Sequence, residues 1–107
     1  MQFVIIGKDA KDPEALQRRQ QYREAHLQRV EALKNSGNGL LGGALLSKHN
    51  QMMGSMLVVE FPDRAAVEAW LAEEPYVQGK VWDQVEVYPY AIPPVFQPAL
   101  SLLRGEK

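Results

Sequence analysis

The run Phe3-Val4-Ile5-Ile6 does most to restrict how this chain can fold. Its consecutive large apolar residues, most of them β-branched, leave no polar alternate to turn toward water. They therefore predict a strand covered on both faces and placed centrally in a sheet. Gly7 and the polar Lys8, Asp9 and Lys11 end it. A second strand with two apolar faces is predicted at 55–61, where Ser55, Leu57, Val59 and Phe61 share one side and Met56, Val58 and Glu60 the other.

Between these strands Asp12-Pro13 predicts a helix start, because Asp accepts from first-turn N–H groups and Pro sacrifices no bond there. The helix runs to about Lys34 and closes at Asn35, Ser36 and Gly37, with Leu16, Tyr22, His26, Leu27, Val30 and Leu33 as its apolar stripe. Leu40 to Leu46 is a further strand, in which Gly42 and Gly43 indicate a bulge or a close approach. A polar connection of about eight residues, Ser47 to Gly54, carries His49. Pro62-Asp63 opens a second helix with Ala66, Val67, Trp70 and Leu71 on its apolar side; a short helical turn follows near Pro75, and Val81 to Tyr90 is the last strand.

The order strand, helix, strand, strand, helix, strand is the split βαβ pattern (βαββαβ) of an α+β, ferredoxin-like fold. Residues 1–90 form that domain, and 91–107 an extension of it that packs along the domain edge or against a second subunit. Two helices cover one sheet face only. Because the central strands are apolar on both faces, the other is expected to meet a second copy, giving a homodimer through sheet faces.

Twelve Lys and Arg against thirteen Asp and Glu, scattered and mixed, provide no clustered positive charge, so nucleic acid is not an expected partner. The chain has no cysteine, which removes thiolate chemistry and disulfides. The N-terminal apolar run is far shorter than the roughly 20 residues that cross a bilayer. No membrane association and a cytoplasmic location are the expectations. Nucleotide-binding, zinc-protease, serine-hydrolase and calcium-loop motifs do not occur.

His26 is the chief chemical candidate, as a general base or acid, since imidazole titrates nearest neutrality; the alternative is a packed helix-stripe histidine. A catalytic histidine needs a group to fix its tautomer, and Glu73, Glu74 and Glu60 are the candidates. Arg23, three residues before it, suits an anionic substrate oxygen or else a salt bridge to Glu68, Glu74 or a neighbouring glutamate. Tyr22, Tyr76, Trp70 and Trp82 are core or rim aromatics, any of which can also line a pocket. The glycines from Gly37 to Gly43 suit turns better than a phosphate cradle. A three-ligand metal site would have to recruit Asp or Glu from distant segments to join the two histidines, and no metal is assigned.

Arg23, His26 and Leu27 in YREAHL, Gly42-Gly43-Ala44-Leu45, Gly54-Ser55, AAVEAW ending in Trp70, and Glu74-Pro75-Tyr76 before Gly79 occur in an order that resembles the YciI-like family (YCII-related domain) across residues 1–90. The resemblance implies a ferredoxin-like dimeric α/β barrel. It also implies a small cleft where the helix histidine pairs with the acidic residue of an Asp-Pro-Tyr segment. Those positions are His26 and Glu74, with Arg23 the helix arginine; Arg23, Tyr22, Gly43 and Tyr76 are then the candidate substrate contacts. Glu74 stands where the family has aspartate, and Glu24 where a proline often precedes the histidine by two. A related protein dehydrochlorinates a hydroxylated aromatic ring. The implied activity is thus a proton-transfer enzyme for isomerisation or elimination on a cyclic or aromatic hydroxylated small molecule, with no cofactor needed. The alternative is a non-catalytic dimeric module binding a small molecule or partner protein.

Overall fold

A computed structural model describes residues 1–106; Lys107, the end of the predicted extension, lies outside the described residues. The elements follow the predicted order: β1 (Gln2–Asp9), α1 (Ala15–Asn35), β2 (Gly39–Leu46), β3 (Met52–Glu60), α2 (Arg64–Ala72), α3 (Pro75–Gln78) and β4 (Trp82–Tyr90), then a 3₁₀ turn (Pro94–Phe96) and α4 (Gln97–Leu103). The sheet is antiparallel with order β2-β3-β1-β4, the ferredoxin-like α+β arrangement. The apolar run of β1 therefore lies between two strands. Phe3 and Ile5 point to the helix side and join Leu33, Leu57, Val59, Val67, Leu71 and Val87 in the main core.

Helix α1 starts at Ala15, later than the Asp12-Pro13 signal. Asp12 instead closes a turn: its carboxylate accepts from the Glu14 N–H at 3.2 Å and from both Nη atoms of Arg18, so its bonds are spent one step before the helix. Those contacts with Arg18 hold its carboxyl well below the ordinary range. At the other end Gly37 takes the left-handed φ of +84° that lets the chain turn into β2.

The apolar stripe of α1 differs from expectation. Leu16 and Leu27 are 59% and 48% exposed, while Arg19 is buried. Residues 15, 19, 22, 26, 30 and 33 recur at intervals of three and four and form the packed face, and Leu16 and Leu27 fall one position off it. The β2–β3 connection is shorter than predicted, because Leu46 already pairs with Met52. The bulges of β2 fall between Gly39 and Leu41 and between Leu45 and Leu46, not at Gly42-Gly43; Gly42 instead realises the close approach, since a Cβ there would sit 2.5 Å from Leu57.

On the opposite sheet face the extension folds back. Leu100, 2% exposed, packs with Leu40 and Val58, flanked by Val4, Met56 and Ile92, and Arg104 is ion-paired with Glu60. The chain thus covers part of the face for which a second copy was expected. Leu41, Tyr88 and Tyr90 remain exposed. Among the described residues no helix is long and apolar enough to cross a membrane.

Gly7 shows how tightly the site end of the sheet is built. A Cβ there would lie 2.3 Å from the indole of Trp82, which is itself buried. Gly7→Ala is expected to cost about 1–3 kcal/mol, the usual range for an overpacked core. A urea midpoint shifted accordingly, with the m-value unchanged, is the measurement that checks it.

Candidate functional site

The packed face of α1 carries His26 inward, and the junction between α2 and α3 brings Glu74 to meet it. Glu74 is the extended residue ahead of α3, its Oε1 accepts from the Tyr76 N–H at 3.3 Å, and Pro75 begins the helix. The carboxylate is completely buried, at 0% exposure. His26 Nδ1 lies 2.5 Å from Glu74 Oε1, and Arg29 donates to Oε2 at 3.0 Å. An ionised carboxylate only accepts, so Nδ1 is the donor in this hydrogen bond and Nε2 is the ring nitrogen not engaged by Glu74.

The imidazole is fixed in plane as well as in tautomer. Tyr76 stacks on it with centroids 4.0 Å apart and planes 10° from parallel, and Trp82 meets its edge at 5.7 Å. Nε2 makes no hydrogen bond among the described residues and is not sealed in; His26 lines a cavity of ≈190 Å³. A cavity of about 150 Å³ accommodates benzene, so this one has room for a single substituted ring. Its walls are Arg19, Arg23, Leu27 and Val30 from α1, Gly42, Gly43 and Ala44 from β2, Ser55 and Leu57 from β3, and Tyr76.

Arg19 is 4% exposed and spans the sheet end of the cavity. Its Nη1 reaches Asp9 at 2.7 and 2.9 Å, its Nη2 reaches Ser55 Oγ at 3.1 Å, and its guanidinium stands 5.1 Å from the Tyr76 ring centre. Burial pushes the Asp9 carboxyl up, against the pull of Arg19. Burial likewise raises the Tyr76 hydroxyl, with the charges of Arg19 and Arg23 acting the other way.

Of the residues singled out from sequence, the cavity brings together His26, Arg23, Gly43 and Tyr76, with Glu74 directly behind His26. Tyr22 is elsewhere: its ring packs over Gly79, where a Cβ would sit 2.4 Å from it, and it does not line the cavity. Among the described residues Arg23 makes none of the predicted salt bridges: Glu68 pairs with Arg64 and Glu74 with Arg29, and no other glutamate reaches it. Glu60 is held by Arg104 and Gln2, and Glu73 is the exposed C-cap of α2, so neither reaches His26. His49 is exposed in the β2–β3 loop.

The family model of the YCII-related domain matches residues 1–91. The chain belongs to that family. Protein YciI of Escherichia coli O6:H1 is 31% identical over 96 residues, covering 84% of this chain and 96% of that protein. Among solved structures, the 5-chloro-2-hydroxyhydroquinone dehydrochlorinase TftG of Burkholderia phenoliruptrix AC1100, in complex with 2,5-dihydroxybenzoquinone, superposes with a TM-score of 0.75 at 26% identity, over 87% of this chain and 96% of that one. An antibiotic biosynthesis monooxygenase shares the fold alone, with a TM-score of 0.51 at 22% identity over 87% of this chain and all of that one.

Two residues of this YCII domain shape the site without having been singled out in sequence. Arg29 lies one turn beyond His26 and clamps the far oxygen of Glu74, while its other Nη donates to the Trp70 carbonyl at 3.0 Å and the guanidinium stacks on the Trp70 ring. Arg19 supplies the buried guanidinium. Their signal in sequence is only periodic: 19, 26, 29, 30 and 33 fall on one side of the helix once His26 is taken as inward.

Proposed function

We propose that this YCII domain is a small proton-transfer enzyme acting on a cyclic or aromatic hydroxylated compound, with His26 as the group that moves the proton. The observation that carries this reading is the buried His26–Glu74 pair, 2.5 Å apart, whose histidine lines a cavity one ring in size. Likeness to a dehydrochlorinase seen with a dihydroxybenzoquinone supports the same class of substrate.

In this reading Nε2 takes a hydroxyl proton, and the O–H bonding pair forms a carbonyl. The displaced ring pair accepts a proton at carbon, which is isomerisation. Loss of a second hydroxyl proton, with departure of chloride and its C–Cl pair, completes an elimination. No electrons enter or leave, so the balance calls for no redox cofactor. Glu74 is the positioning residue, keeping Nδ1 protonated and Nε2 ready to accept. The exposed apolar remainder of the open sheet face is proposed as a homodimer contact.

Deuterium incorporation at the ring carbons of 2,5-dihydroxybenzoquinone in heavy water, followed by NMR, tests proton transfer directly. Chloride release from 5-chloro-2-hydroxyhydroquinone tests elimination. Saturable acceleration of either over buffer is expected; acceleration of neither overturns the enzymatic reading.

A further inference from the structure

The charges around the cavity cancel in pairs, with one left over. Arg19 is answered by Asp9, and Arg29 by Glu74. Arg23, an exposed residue, lines the same cavity, has no carboxylate within salt-bridge reach among the described residues, and makes a polar contact with the sulfur of Met52 at 3.2 Å. A thioether is a weak acceptor. Asp83 acts on Asp9, whose carboxyl it helps to raise, and does not line the cavity. The charge of Arg23 does reach the interior, where it opposes the burial that raises the Tyr76 hydroxyl.

A neutral ligand lying beside this exposed guanidinium displaces part of its hydration and returns no acceptor. A ligand with a negatively charged oxygen would supply those acceptors through charge-assisted bonds, which are about twice as strong as neutral ones. We propose that the cavity selects an anionic ring, its enolate, phenolate or carboxylate oxygen met by Arg23 while the ring lies before His26. This deepens the preceding assignment of the cavity as a site for one ring, and it is tested by binding, without turnover.

Ala44 provides the control. It pairs with Ser55 on the helix side of the sheet and lines the cavity, so a larger side chain there grows into that space. The probes are two pairs at pH 7 and low ionic strength, benzoate with benzamide and 2-hydroxy-1,4-benzoquinone with its 2-methoxy ether, titrated against the folded chain by NMR. In at least one pair the anion is expected to bind tighter than its neutral partner by about tenfold or more, the usual scale of a hydrogen bond to a charged group. Arg23→Gln is expected to bring that preference to within about twofold, against the same scale. Ala44→Leu should remove binding of both members with the fold retained.

Equal affinity within the pairs, no binding by any of the four probes, or a preference that survives Arg23→Gln overturns the proposal. Anion preference without deuterium exchange would count against the enzymatic reading alone. Exchange without anion preference would count against this one alone.

Discussion

Replacing His26 with alanine is expected to lower the rate of ring deuterium exchange by about 10²- to 10⁴-fold, the contribution of a positioned general acid–base group. Every other feature of the cavity survives the change. Glu74 keeps its bonds from Arg29 and the Tyr76 N–H, and Arg19 keeps Asp9 and Ser55. The fold should therefore persist, and ligand affinity should change much less than rate, because the lost group acts on the proton. Imidazole added to the solution has a vacated slot against the Tyr76 ring and should restore part of the exchange. A rate within tenfold of the parent, or no response to imidazole with the fold intact, would assign the proton to another group.

The architecture was legible because each strand and helix advertises its buried side locally. The unbroken run Phe3–Ile6 placed β1 inside the sheet, and Asp63, whose carboxylate accepts from the Ala66 N–H at 2.9 Å, marked where α2 begins. Arg19 was not legible for a physical reason. A guanidinium is buried only when remote groups answer it, and here they are Asp9 from β1 and Ser55 with the Gly54 carbonyl from β3. Nothing in the helix itself announces those partners. Leu16 and Leu27 erred in the opposite direction: both are apolar by type, but each sits one position off the inward line, Leu16 as an exposed leucine that costs little and Leu27 at the wall of the cavity.

The extension was half legible. Its apolar residues Leu100, Leu102 and Leu103 announced a packing role, yet only Leu100 turns inward, against Leu40 and Val58. The ion pair from Arg104 to Glu60 selects that seat, and it joins residues 44 positions apart. Arg29 has the same character. Its role depends on Glu74, whose carboxylate addresses His26 with one oxygen and Arg29 with the other.

The removal of that carboxylate should have the largest effect on stability of any single change at the site. Glu74→Ala is expected to cost about 3–5 kcal/mol, because it strands the Arg29 guanidinium and the Nδ1–H of His26 and takes a side-chain acceptor from the first turn of α3. Against a total of about 5–15 kcal/mol for a typical domain, this is a large fraction. A urea unfolding series reads it as a lowered midpoint. Glu74→Gln keeps the volume but donates as well as accepts, and should fall between the two. The double replacement Glu74→Leu with Arg29→Met supplies the decisive comparison, since it removes both charges instead of orphaning one, and it should be more stable than Glu74→Ala. Were Glu74→Ala to cost under about 1 kcal/mol, far below the usual penalty for breaking a buried pair, the carboxylate would not be what holds Nδ1.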